Sequence, residues 1–261
     1  MKYNRILNPK DLTFVEKQNL LNNSVSPRPI ALINTINKFN ESNVGIYSYY
    51  NIISINPMIL GFSITNSINN ITYQNILYIP ELTINIVSYD IIQSAFLSSI
   101  NYNNRNKFEI TGFTTIQSKI VNPPIIGESK LSFECKVKKI ISLEEDQYVK
   151  FILCNIILIH INNKQFYKTN NLSFKDLDII GVLDNYWCIH IIKQKLFLGL
   201  KPLNSNILGI NKIPYKIRFN KLFTKNDLAI LANIEKLPTS EDILILFFLM
   251  KKSISSLVGN F

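Results

Sequence analysis

The sequence predicts a mainly β protein with a closed or sandwiched sheet, and three observations carry that expectation. Short apolar segments rich in β-branched residues recur through the N-terminal part of the chain; Asn, Ser, Gly and Pro punctuate them at turn spacing; and helical periodicity is confined to a few places. The predicted strands are Ile30 to Ile36, Val44 to Ile53, Ile59 to Thr65, Thr83 to Ser88, Leu131 to Ile141 and Val149 to Ile161. Between them, Thr72 to Tyr78 and Ile91 to Ser99 are each long enough for one short helix. The best-signalled helix starts at Thr224, where Thr224 and Asp227 have capping-box spacing and Leu228, Leu231 and Ala232 then share one face. No internal repeat or low-complexity linker interrupts this pattern. The chain therefore reads as one main β domain, residues 1–200, with a helical C-terminal extension, residues 201–261, packed on it.

A chain of 261 residues with 47% hydrophobic content can fill a sizeable core. Cys135, Cys154 and Cys188 form an odd set without a CxxC pair, which supports neither a disulfide framework nor a zinc knuckle and fits a reducing cytoplasm. The opening MKYNRILNPK lacks the apolar core of a secretory signal. The apolar run Ile243 to Met250 is far short of the roughly 20 residues that a membrane span needs. A formal charge of +10 raises the question of a polyanionic partner. However, 45 Ile, 34 Asn and 24 Lys against 4 Arg and 4 Ala are spread evenly, as codon drift toward A and T would leave them. The lysines form no run of five, so the charge reads as a dispersed, solvated surface with neither nucleic acid nor membrane as partner.

Little acid–base chemistry is legible directly. His160 and His190 each sit in an Ile-rich run without a second His or a carboxylate at ligand spacing, so both read as packed residues with one satisfied nitrogen and no metal is expected. Glu134 precedes Cys135 and would raise its thiol pKa, which disfavours a cysteine nucleophile. Neither GxGxxG nor GxxxxGK[ST] is present. One segment invites an anion. Residues Thr65 to Asn75 are rich in hydroxyls and amides and lead into the predicted helix, so a start near Thr72 would leave free N–H groups for a phosphate. An ordinary capped turn has the same composition.

Taken in order, Ser26-Pro27-Arg28-Pro29-Ile30-Ala31, Thr35, Asn43, Tyr47-Ser48-Tyr49-Tyr50-Asn51 and Asn56-Pro57 resemble the opening of the flavin reductase-like, FMN-binding family. The similarity continues through Asn70-Ile71-Thr72-Tyr73-Gln74-Asn75 and Asn85-Ile86-Val87, which stand where the family has a KDT-x-x-N loop and an N-[IV]-V strand. Further matches are Phe108, Gly112-Phe113-Thr114, Glu128-Ser129, Glu134-Cys135, His160-Ile161, Trp187-Cys188, Phe223 to Ala229 and Leu237-Pro238.

The resemblance implies an FMN-binding split β-barrel with short helices, built as a homodimer with the flavin in a groove at the subunit interface. By position, Arg28 and Pro29 would border the flavin, Ser48 and the backbone of Tyr49 and Tyr50 would meet the isoalloxazine edge, and Thr65, Thr72 and Asn75 would serve the ribityl phosphate. It also implies an oxidoreductase that transfers a hydride from NAD(P)H to FMN and passes electrons to a small-molecule substrate or a partner oxygenase. In such an enzyme the cofactor carries the chemistry and the protein positions it. Three departures favour the alternative of a degenerate, non-catalytic flavin-binding protein. Asn70 and Ile71 replace the lysine and aspartate of KDT, Val182 stands where longer relatives have an arginine, and Asn106-Lys107-Phe108 replaces D-E-F.

Overall fold

The computed structural model describes residues 6–65, 70–99, 106–143, 148–162, 172, 174–184, 187–192, 195–198, 201–202 and 205–236. Seven antiparallel strands form the main sheet: β1 (Ala31–Ile36), β2 (Ser42–Tyr47), β3 (Tyr50–Ser54), β4 (Ile59–Thr65), β5 (Glu81–Ile86), β8 (Leu131–Ser142) and β9 (Val149–Ile161). Two short strands, β6 (Thr115–Ile116) and β7 (Ile125–Ile126), pair separately between β5 and β8. The order across the main sheet is β2-β1-β5-β8-β9-β4-β3.

That order forces the sheet to roll. Strands β2 and β3 are its two edges, and six inter-strand spacings would hold them about 29 Å apart if the sheet were flat. In the chain they are separated only by Ser48 and Tyr49, and three peptide steps reach at most about 11 Å. The edges must therefore meet, and the Tyr49 carbonyl accepts a hydrogen bond from Ser63 N of β4 at 2.9 Å on that side. Strands β2 and β3 do not pair with each other, which leaves the barrel split. The continuous strand expected over Val44 to Ile53 is thus corrected to two strands, because the chain passes from one edge to the other at Ser48–Tyr49.

Alternation along each strand sorts side chains to two cores. Ala31, Ile33, Leu60, Phe62, Leu82, Ile84, Ile152 and Cys154 fill the inside of the roll, joined by Tyr73 and Ile76 from helix α2 (Ile71–Tyr78). Gly61 of β4, between Leu60 and Phe62, faces the other side of the sheet, where glycine is required because a Cβ would lie 2.6 Å from the Phe151 ring and 2.7 Å from Ile53. On the outer face, Leu32 and Val44 pack beneath Ile92, Ala95 and Phe96 of α3 (Ile92–Leu97) and Phe108 of α4 (Lys107–Thr111). Burying each such side chain contributes about 1.5–3 kcal/mol, so both faces of β1 stabilise the fold.

Helix α1 (Phe14–Ser24) was not expected. It opens with a capping box in which Thr13 and Glu16 bond each other's backbone N–H. A small sheet of β10 (Ile180–Val182), β11 (Trp187–His190) and β12 (Lys195–Leu198) was also unforeseen, and it joins the barrel through paired backbone bonds between Arg28 and Val182 at 2.8 and 2.9 Å. Helix α2 begins one residue before the expected Thr72, with Asn70 as its N-cap. The helix expected over Ile91 to Ser99 is α3 preceded by a 3₁₀ turn, Tyr89–Ile91. Further along, helix Lys225–Ala232 has its Thr224–Asp227 capping box and sets Leu228 and Ala232 against Leu97 and Ile110. Leu237-Pro238 and the Ile243 to Met250 run lie outside the described residues. Among the described residues, no helix is long and apolar enough to cross a membrane.

Candidate functional site

Asn43, Gly45 and Tyr47 alternate along β2 and so project from one face of it. The first turn of α2 lies across that face. Asn43 Nδ2 donates to Thr72 Oγ1 at 3.0 Å, and the Tyr47 hydroxyl is hydrogen-bonded to Thr72. Burial pushes the Tyr47 phenol up to about 12, with the Thr72 bond opposing the shift. At the helix start, Asn70 Oδ1 accepts from Tyr73 N at 3.1 Å and Asn70 Nδ2 donates to Thr65 Oγ1 at 3.3 Å. The amides of Ile71 and Thr72 have no acceptor among the described residues, as expected for the first two positions of a helix.

These groups line a cleft of about 350 Å³ together with Ser98, Ser99 and Lys107. Lys107 is only 8% exposed, and its Nζ donates to the Ser98 carbonyl at 3.1 Å. Burial pushes its ammonium down to about 8. A second cleft, about 660 Å³, shares Asn43, Ile71 and Lys107 with the first and reaches Asn75.

The floor of the first cleft tests whether a flavin phosphate and its ribityl chain fit. A Cβ on Gly45 would stand 3.0 Å from the Tyr47 ring and 3.5 Å from Thr72 Oγ1, so glycine lets Tyr47 and Thr72 lie close over the strand at the cleft floor. Helix N–H groups without an acceptor among the described residues, a glycine on the strand and a buried cation in one lining suit an anionic chain. The residues fit.

The residues expected at the site fall into four places. Thr65 and Thr72 line the first cleft, while Asn75 lies behind it in the second, its buried amide donating to Thr35 Oγ1 at 3.0 Å. Arg28, Pro29 and Tyr50 line a separate, mostly apolar groove of about 300 Å³ beside Ile86 and Ile180. Ser48 and Tyr49 form the turn between β2 and β3. Arg28 is buried. Its Nη1 donates to the carbonyls of Asn22, Val25 and Leu183, which caps the last turn of α1 and ties that helix to the small sheet. Burial lowers the Arg28 pKa, its Nε has no partner among the described residues, and its Cζ lies 5.7 Å from the Tyr49 ring centroid. Tyr49 in turn donates its hydroxyl to Asn22 Oδ1 at 2.6 Å. Tyr50's phenol is pushed up to about 12 by burial.

Sequence reasoning assigned no role to Gly45, Tyr47 or Lys107. The i, i+2, i+4 alternation Asn43-Gly45-Tyr47 was available as a signal for the first two. Both histidines meet carboxylates distant in sequence: His160 Nε2 lies 2.6 Å from Glu134 Oε1, and His190 Nε2 bonds Asp178 while stacking on Tyr89. Among the described residues no cluster of three potential metal ligands occurs. The three cysteines are buried, and burial pushes the thiols of Cys135 and Cys188 up to about 12 and 11 and that of Cys154 well above its ordinary value.

Comparison with known proteins agrees with this architecture. A protein from Aquifex aeolicus (strain VF5) is 31% identical over 163 residues, covering 61% of this chain and 82% of that protein. Among solved structures, nitrilotriacetate monooxygenase component B from Bacillus cereus superposes with a TM-score of 0.67 at 20% identity, over 78% of this chain and all of that one. A split-barrel-domain protein from Shewanella frigidimarina NCIMB 400 does so with a TM-score of 0.60 at 21% identity, over 75% of this chain and 93% of the other. The flavin reductase like domain family matches residues 24–170, a span that holds the whole rolled sheet and the β2 and α2 walls of the two larger clefts' shared lining. The chain therefore belongs to the flavin reductase like domain family, on a split-barrel fold.

Proposed function

We propose that the protein is an NAD(P)H-dependent FMN reductase that binds FMN along β2 with its phosphate at the start of α2. The observation that carries the reading is the cleft itself, lined by Ile71 and Thr72, whose amides have no acceptor among the described residues, and by Gly45. When bound, FMN supplies hydride acceptance from NAD(P)H and onward electron transfer to a small-molecule substrate or a partner oxygenase. The chain's own residues bind and orient. The Ile71 and Thr72 amides and the Thr65 and Thr72 hydroxyls face the phosphate. Asn75, bonded to Thr35, holds α2 at the angle that aims those amides. Ser48 and the backbone of Tyr49 and Tyr50 meet the ring edge, while Arg28 and Pro29 border it. Arg28 does so as a positioning residue, fixing α1 and the turn rather than releasing its charge to a ligand.

The reading includes a homodimer. Strand β3 is a sheet edge, and Ile52, Ile53, Ile55 and Met58 on and just after it are exposed, with Ile157 and Ile159 exposed on β9. A contiguous apolar edge of this kind suits a second copy of the same chain, which would also close the open side of the split. Light scattering at micromolar concentration is expected to give a dimer; monomer with flavin still bound would refute this part.

The central test is titration of the purified protein with FMN and riboflavin, followed by NADH and NADPH oxidation with bound FMN. Thr72→Ala is expected to weaken FMN by about 1.5–3 kcal/mol, the range for hydrogen bonds to a charged group, and riboflavin much less. Equal losses would refute the phosphate assignment. A second reading, flavin binding without turnover, is favoured by one observation. Val182 is 4% exposed and packed in the outer core, so no charged side chain projects from that position. FMN binding with no NAD(P)H oxidation would select it.

A further inference from the structure

We propose that Lys107 is the residue that neutralises the bound phosphate, reaching the cleft from α4, opposite the helix N-terminus that supplies the amide donors. The inference rests on the FMN reading above and assigns it a charge. Around the described lining of the cleft, Lys107 is the one charged side chain. The residues at the α2 end offer only neutral donors: the Asn70 amide is committed to capping, and the Thr72 hydroxyl is bonded by Asn43 and Tyr47. A phosphomonoester dianion placed against two amides alone would be left undercompensated in a partly enclosed site.

Lys107, for its part, is a buried cation in need of an anion. Its side chain is buried, a neutral carbonyl at 3.1 Å is its one hydrogen-bond partner among the described residues, and it makes no salt bridge there. Buried lysines are ordinarily paired, and the cost of leaving one unpaired shows in the lowered pKa, for which burial is the cause. Two unmet needs, an anion site without charge and a charge without an anion, face each other across one cleft. The segment around Lys107 supports this as a built arrangement. Asn106 caps α4 by accepting from Phe108 N at 2.9 Å, and the Thr111 hydroxyl bonds the Lys107 carbonyl at 2.8 Å, so the backbone bearing the lysine is fixed.

The test is a fluorescence titration of FMN, riboflavin and inorganic phosphate against wild type and Lys107→Met, which keeps the buried aliphatic stem. Lys107→Met is expected to weaken FMN by at least about tenfold, the lower end for a charged hydrogen bond. Riboflavin should stay within about threefold, and phosphate should cease to compete with FMN. An unchanged FMN constant, or equal loss of FMN and riboflavin, would overturn the role of Lys107 while leaving the FMN reading intact. Failure of wild type to bind either flavin would overturn both.

Should Lys107→Met not fold, the ratio of FMN to riboflavin affinity in wild type reads the same group. FMN requires the protonated lysine, so above about pH 7, where the phosphate is a dianion, the ratio is expected to hold until about pH 8 and to fall up to tenfold per pH unit beyond it. The other titratable groups near α4 are the Tyr47 phenol, displaced to about 12, the exposed side chains of Glu41, Glu109 and Lys212 at the outer rim or on packed elements, and Lys225, which donates to the carbonyl of Gly112 at the C-terminus of α4 and pairs with Glu128. A ratio flat to pH 10 would overturn the proposal.

Discussion

Replacing Glu134 by Gln should destabilise the barrel by about 2–4 kcal/mol, and the figure can be worked from the contacts. Glu134 is fully buried on β8, yet its carboxylate accepts four hydrogen bonds. Oε1 takes Lys119 N at 2.7 Å and His160 Nε2 at 2.6 Å; Oε2 takes Ile120 N at 2.7 Å and Val121 N at 2.9 Å. A glutamine has one acceptor oxygen. Its best placement turns the NH₂ toward His160, whose ring can accept, and leaves the Lys119 N–H facing another donor at a cost of about 1–3 kcal/mol. The two bonds at the other oxygen persist without charge and lose about 1 kcal/mol each, while relief of burying an ionised group returns part of the sum. The sign of the pH dependence follows. Burial pushes the Glu134 carboxyl up, but the bonds from Lys119, Val121, His160 and Ile120 more than offset this and hold it below its usual range. Its stabilisation is therefore fully present above the unfolded pKa of about 4.3 and is lost as pH falls through the lower folded value. Urea unfolding of wild type and Glu134→Gln at pH 7 and at several points below pH 4.5 measures both quantities. A difference under about 1 kcal/mol at pH 7, or one that grows on acidification, would refute the reasoning.

Other consequences can be checked more quickly. Gly45→Ala should leave the melting temperature within a few degrees but weaken FMN and riboflavin alike, by roughly tenfold, because the new methyl crowds Tyr47 on the cleft floor; flavin titration and thermal melts separate the two effects. Thr224→Ala removes the acceptor for Asp227 N and the ring of the capping box, so unfolding free energy should drop by about 1 kcal/mol in urea titrations. The native protein should be inert to a thiol reagent at pH 8, since burial keeps all three thiols protonated, and should release three equivalents once unfolded; rapid native labelling would contradict the packing of Cys135, Cys154 and Cys188.

Much of the wall was legible because long strands carry redundant signal. The expectations for Ile59 to Thr65 and Val149 to Ile161 coincide with β4 and β9, and Leu131 to Ile141 falls one residue short of β8. What escaped was either brief or polar. A joint of two residues inside an apolar run, Ser48–Tyr49, leaves periodicity almost unchanged although it carries the chain between opposite sheet edges. Helix α1 has the same capping-box spacing that identified Lys225–Ala232, but Phe14, Val15, Leu20 and Leu21 are exposed and Asn22 is its one buried residue, so no apolar stripe followed the cap. Strands β10 to β12 are three or four residues long, below the length at which alternation can be read. At the site, the resemblance grouped Thr65, Thr72 and Asn75 at the phosphate; the fold brings Thr65 and Thr72 into one cleft, because a cap and a strand end are local features, and puts Asn75 in the next. Lys107 could not be found that way. An even scatter of lysines hides the two that are buried among the described residues, Lys107 and Lys150, and the residues that share the cleft with Lys107, Asn43 and Thr72, lie dozens of residues upstream.

The joint at Ser48–Tyr49 also determines where this molecule can change length. One residue inserted within β4 or β5, whose ladders to β9 and β8 run without a register shift, would turn every side chain beyond it to the opposite face, exchanging the contents of the two cores. One inserted between Tyr47 and Tyr50 adds up to about 3.5 Å of reach at a place where the flanking strands share no ladder. The circumference of the wall is thus set by long paired strands that resist insertion, while the width of its gap is set by a joint that accepts it. The gap borders the bare strand at Gly45 on one side and Tyr50 on the other, so the aperture of the ligand groove can be retuned without recutting the barrel.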